Sequence, residues 1–92
     1  MGDQLIKVTD DQICCDLDGE AVILSLKTGT YYGLDQVGAR VWALIQEPKT
    51  ITDLLHILLS EFDVDSARCE QDLRLLLRNL NEAGLVEIGT QV

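Results

Sequence analysis

The apolar residues of this chain change their spacing once, at Asp35, and that change limits the folds open to it. Before Asp35 they fall in short runs punctuated by turn residues. After it they recur at helical spacing. Strands followed by helices predict an α+β fold. The segment at the junction, Thr28-Gly29-Thr30-Tyr31-Tyr32-Gly33-Leu34, holds two of only four aromatic residues in the 92-residue chain.

Gln12 to Leu17 is the first firm strand expected. Asp18-Gly19 follows it as a hairpin turn, because both central residues of a type I′ turn need positive φ. Ala21 to Leu26 is the second strand, and its Ala-Val-Ile-Leu run suggests a central strand covered on more than one side. Lys27-Thr28-Gly29 turns the chain into a third strand, Thr30 to Leu34. In a meander this third strand is an edge, unless the N-terminal arm or another chain pairs with it. Residues 1–11 fit either a short preliminary strand or a loose arm, and residues 89–92 are expected to fray.

Asp35 is a good N-cap for a helix over Gln36 to Gln46, with Val37, Val41, Leu44 and Ile45 on one stripe and Trp42 flanking it. Gly38 lowers helix propensity by about 1 kcal/mol, and close approach to the sheet would explain it. Glu47-Pro48 stops this helix. Thr50 caps a second helix from Ile51 to Phe62. Asp65 or Ser66 caps a third that runs to about Ala83, with Cys69, Leu73, Leu76, Leu77 and Leu80 facing the core. Gly84 ends it, and Leu85 to Ile88 is strand-like. One domain is expected over residues 1–92, a three-stranded antiparallel sheet followed by three helices. The second and third helices resemble a helix-turn-helix with the sheet as its wing.

Net charge is −9, from 16 acidic and 7 basic residues, which repels phosphate backbones and anionic membranes. The third helix carries Arg68, Arg74 and Arg78, but Asp65, Glu70, Asp72 and Glu82 cancel them. No apolar run approaches the ~18 residues of a membrane span, and no signal peptide is recognisable, so the expected setting is cytoplasmic. Cys14, Cys15 and Cys69 include no CxxC pair, and neighbouring strand residues point to opposite faces, so they read as packing residues rather than a disulfide or metal set. His56 has no partner for catalysis or metal binding, and Gly-rich phosphate loops are absent. A non-catalytic binding module without cofactor or metal is expected, with neither nucleic acid nor membrane as partner.

The third strand suggests how such a module would bind. An exposed edge offers N–H and C=O groups to an extended peptide. About five such hydrogen bonds yield ~0.5–1.5 kcal/mol net each, while ordering the peptide costs ~1–2 kcal/mol per residue. Backbone pairing is therefore close to neutral, and affinity must come from side-chain anchors worth ~1.5–3 kcal/mol each in an apolar pocket beside the edge. The third strand and the flank of the third helix are the candidate walls.

Leu26-Lys27-Thr28-Gly29-Thr30-Tyr31-Tyr32-Gly33-Leu34-Asp35, followed by Val37-Gly38-Ala39-Arg40-Val41-Trp42, closely resembles the PqqD family. Phe62-Asp63-Val64-Asp65 and Leu80-Asn81-Glu82-Ala83-Gly84-Leu85-Val86 fit the same pattern, and the likeness spans about residues 12–88. The resemblance implies a RiPP recognition element. Such a winged-helix module binds the leader of a ribosomally made precursor peptide as an extra strand beside the third strand and against the third helix. It then passes the precursor to its maturation enzymes. In lasso-peptide pathways the partner is a separate cysteine-protease-type leader peptidase, followed by a cyclase. PqqD itself serves a radical SAM enzyme as a peptide chaperone, which is the alternative, and a winged-helix DNA-binding regulator or a dimerisation module are others. The peptide-binding residues expected are the backbone of Thr30, Tyr31, Tyr32, Gly33 and Leu34. A pocket lined by Tyr31 or Tyr32 with Leu76, and charged contacts from Asp72 or Arg74, complete the set. The wheel leaves open which flank of the third helix faces the peptide, and the sequence leaves open the oligomeric state.

Overall fold

In the computed structural model, residues 4–18 and 20–90 are described. Two antiparallel three-stranded sheets and three helices make a mixed α+β fold. The hairpin sheet consists of β2 (Gln12–Leu17), β3 (Glu20–Ser25) and β4 (Tyr31–Leu34), in the order β2-β3-β4. The terminal sheet brings together β1 (Gln4–Val8), β5 (Lys49–Thr50) and β6 (Val86–Thr90), in the order β5-β1-β6. The helices are α1 (Gln36–Leu44), α2 (Ile51–Glu61) and α3 (Ser66–Glu82).

The local signals act where they stand. Asp18 has φ of +49°, as a tight turn of this kind requires, and Leu17 pairs with Glu20 across it; Gly19 lies outside the described residues. Asp35 Oδ1 accepts from the Gly38 N–H at 2.8 Å, Thr50 Oγ1 from the Asp53 N–H at 3.1 Å, and Asp65 Oδ2 from the Arg68 N–H at 3.0 Å. Each satisfies a donor that the first turn of a helix leaves free. The end of α3 is a Schellman motif. Gly84, at φ +77°, donates to the Asn81 carbonyl at 3.0 Å, and Leu85 donates to the Leu80 carbonyl at 2.9 Å while its side chain is buried.

Gly38 gives α1 its approach to the sheet. A Cβ there would come within 3.3 Å of both Cβ and Cδ2 of Leu34. The helix ends at Leu44, two residues before the expected Gln46, with Ile45 as its C-cap. Trp42 is buried in the core with Val41 and Ile45 rather than flanking their stripe.

Residues 4–8 form a central strand rather than a loose arm. β1 pairs with β6 from Gln4↔Thr90 to Val8↔Val86, and with β5 at Leu5↔Thr50. Ile6 is fully buried, and the Thr9 hydroxyl and N–H bind the carbonyls of Gly84 and Leu85 at 2.8 and 3.0 Å. Residues 89 and 90 belong to β6, while 1–3 and 91–92 lie outside the described residues.

The apolar run of β3 also differs from expectation. Ala21 and Ile23 are buried against the core, but Val22 and Leu24 point the other way and are only half-buried. Among the described residues no helix covers this second face, and neither Val22 nor Leu24 packs on the core. Its cover comes from neighbours in the same sheet, through the registers Ile13↔Leu24↔Tyr31 and Cys15↔Val22↔Gly33. No described helix is long and apolar enough to cross a membrane.

Candidate functional site

β4 is paired on one side only, because β1 goes to the other sheet. Its register decides which groups remain free. The Ser25 N–H donates to the Thr30 carbonyl at 2.9 Å. Antiparallel pairs alternate between exchanging hydrogen bonds and not exchanging them. Tyr32 and Leu34 therefore spend their backbone groups on Ile23 and Ala21, whereas the N–H and C=O of Tyr31 and Gly33 face the open edge. Side chains alternate with the same period. Tyr32 is half-buried against the core and Leu34 is buried, while Tyr31, 69% exposed, stands on the outer face.

The residue that follows β4 enters the lining of a groove to which β4 itself contributes no residue. Asp35, directly after β4, shares the lining with Val37, Gly38 and Val41 of α1. Leu58 and Phe62 also line it, and α3 contributes Leu73, Leu76 and the flank that bears Asp72 and Asn79. The enclosed volume is about 500 Å³. Two of the five large apolar side chains exposed among the described residues, Val64 and Leu75, lie in this lining. The other three, Ile13, Leu26 and Tyr31, belong to the hairpin sheet and the turn that follows β3.

Polar groups sit at the rim. Asp35 and Asp65 are occupied as helix caps, and Arg68 Nε lies 3.9 Å from Asp72 Oδ2 with both side chains largely exposed. An ion pair so exposed contributes little to stability, which leaves both groups available to a ligand. Burial, and then the Asp72 carboxylate, push the Cys69 thiol above its ordinary pKa, which favours the protonated thiol at neutral pH. Among the described residues no three His, Cys, Asp or Glu side chains group as metal ligands.

The structure thus brings part of the expected set together. Asp72 and Leu76 line the groove. Arg74 does not, because α3 turns its Arg74–Arg78 flank the other way and Arg74 Nε binds Glu70 at 3.0 Å. None of Thr30, Tyr31, Tyr32, Gly33 and Leu34 lines the groove; Tyr31 and Gly33 hold the free backbone groups of the strand that ends just before Asp35. Thr30 spends its carbonyl on the turn. Sequence reasoning missed Val37, Phe62, Val64, Arg68 and Leu75. A usable signal existed for Leu75, a leucine off the buried stripe of α3.

The family coenzyme PQQ synthesis protein D (PqqD) matches residues 20–86. A solved structure of TbiB1 in complex with the TbiA(beta) leader peptide is 41% identical, over 88% of this chain and 94% of that one, with a TM-score of 0.81. A lasso peptide synthetase B1 complexed with the leader peptide is 22% identical, over 89% of this chain and 96% of that one, with a TM-score of 0.77, a likeness of fold. No curated protein matches the chain.

Proposed function

This chain belongs to the PqqD family, and from that premise we propose that it is a non-catalytic recognition element for the leader of a ribosomally made precursor peptide, working in lasso-peptide biosynthesis. The observation that carries the reading is the open edge of β4, followed directly by Asp35 in the lining of an apolar groove. The relative at 41% identity, TbiB1, binds a leader peptide, which supports it. The leader adds as a fourth strand through the backbone of Tyr31 and Gly33. Its inward side chains enter the groove against Val37, Phe62, Leu75 and Leu76, and its polar groups meet Asp72 and Arg68. Asp72 is favoured over Arg74 because only Asp72 faces the groove. In this reading α2 and α3 form a helix-turn-helix with the hairpin sheet as its wing, and the wing receives peptide rather than DNA.

Binding without catalysis implies a second protein that acts on the held precursor. We assign that role to a leader peptidase of the cysteine-protease type or another maturation enzyme. The free thiols of Cys14, Cys15 and Cys69 suit a reducing, cytoplasmic setting. Fluorescence anisotropy of labelled leader, from TbiA(beta) and from any precursor encoded beside this chain, tests the reading. Saturable binding is expected, and its absence at tens of micromolar for every leader would remove the reading.

A further inference from the structure

Glycine weakens a strand, because it has no side chain to pack and loses more backbone freedom on folding. Three of the five glycines among the described residues have an evident cause. Gly29 and Gly84 adopt φ of +71° and +77°, and Gly38 clears Leu34. Gly33 has no such cause. Its φ lies outside the left-handed region, and a Cβ there would meet nothing within 4 Å. Gly89 shares that freedom but sits on β6, in the other sheet. Nothing among the described residues requires a glycine in the middle of a four-residue edge strand.

The register shows what the missing side chain leaves open. On the outer face of the hairpin sheet, one row runs Ile13, Leu24, Tyr31 and the next runs Cys15, Val22, Gly33. The second row lacks its edge member. The result is a notch with Gly33 as its floor, Val22 behind it and Tyr31 on the same face two residues away. Gly33 is also one of the two residues whose N–H and C=O face the open edge. An antiparallel strand joined there places one residue directly opposite Gly33, with its side chain on this same face.

We infer that the leader residue opposite Gly33 carries a large apolar or aromatic side chain, which lies across the glycine onto Val22 and Tyr31, so that Gly33 is a specificity-determining position. The inference rests on the strand-addition reading above. Aromatic side chains commonly cover a cross-strand glycine in this way, and a diagonal neighbour is within reach of a ring. The surrounding rows are apolar, so an apolar occupant gains from removal of its own surface and that of Tyr31 from water. Leader residues on either side of this one point inward to the groove, so the leader is read on both faces of its strand.

The test uses a randomised dodecapeptide library displayed on yeast and selected separately on the wild-type protein and on Gly33→Val. Valine suits a strand and has room at this site, and a thermal melt at or above wild type shows that the variant folds. Wild-type selection should enrich one large apolar or aromatic residue flanked on both sides by residues facing the groove. The consensus peptide should bind Gly33→Val about tenfold more weakly, and the same peptide with glycine at that position should bind both proteins alike. Tyr31→Ser, which leaves the strand backbone in place, should weaken the consensus peptide but not its glycine version. Equal binding of the consensus peptide to wild type, Gly33→Val and Tyr31→Ser overturns the inference and leaves leader binding standing. Failure of any peptide to enrich on the wild type overturns both.

Discussion

The molecule contains two antiparallel three-stranded sheets of similar size and opposite character. The terminal sheet places β1 between β5 and β6, joins residues about as far apart in sequence as the chain allows, and shows no exposed large apolar side chain among its described residues. The hairpin sheet is built from neighbours in sequence, keeps one side of β4 unpaired and exposes Ile13 and Tyr31. Strand count and pairing type do not separate them; what each leaves unsatisfied does. Both sheets have outer strands paired on one side only, but the terminal sheet exposes no large apolar side chain beside them, whereas the hairpin sheet sets Tyr31 on its open edge strand, the combination an added strand would use.

That contrast breaks first, and with the largest effect, in the core. Ile6→Ala removes a fully buried side chain from the terminal sheet and should lower unfolding free energy by about 2–5 kcal/mol in a urea titration. Its effect on leader affinity should be no more than the unfolded fraction explains. On the other sheet, Tyr31→Pro and Tyr32→Pro form a matched pair. Tyr32 donates to β3, so proline there should lower the melting temperature markedly. Tyr31 donates outward and begins its strand, a position proline tolerates. Tyr31→Pro should keep nearly the wild-type melting temperature while weakening leader binding by about threefold to tenfold or more, the equivalent of one hydrogen bond plus a ring. Equal melting temperatures for the two proline variants would contradict the register argument.

Smaller effects separate the flanks of α3. Leu75→Ala should weaken leader binding severalfold with little change in stability, since Leu75 is 55% exposed and lines the groove. Arg74→Ala should leave leader binding unchanged and cost about 0.3–0.5 kcal/mol through loss of its exposed pair with Glu70. The smallest effect is a pH dependence. Arg40 binds Glu61 through two contacts, at 2.8 and 2.7 Å, tying α1 to the end of α2. The hydrogen bonds from Arg40 hold the Glu61 carboxyl below its ordinary pKa. A lowered folded-state pKa means that the pair's stabilisation is present above the unfolded value of about 4.3 and is lost as pH falls through the folded value. The difference in melting temperature between wild type and Glu61→Gln should therefore be largest near neutral pH and close on acidification.

Much of this architecture was legible in the sequence because its signals are local. Asp35, Thr50 and Asp65 each cap a helix three residues from the N–H they accept, and Gly84 ends α3 within one turn. The terminal sheet was not legible, because nothing near Gln4 refers to Thr90. The open edge could be read from strand order. Its free donors, on Tyr31 and Gly33, could not, because they depend on a register fixed by the Ser25–Thr30 hydrogen bond. The groove face of α3 was hidden for a similar reason. A helical wheel shows a buried stripe with a flank on each side, and only the position of α1 favours Asp72 over Arg74.

The pairing of β1 with β6 has a consequence for the order of folding. Each turn of the hairpin sheet closes a loop of a few residues, a fast event that needs no other part of the chain. β1 precedes the hairpin sheet in chain order, yet its partner β6 follows all three helices. Closing so long a loop carries a large entropic cost until α3 has brought residue 86 into reach. Pairing of β1 with β6 is thus expected to follow formation of the hairpin sheet, although β1 comes before that sheet in the sequence.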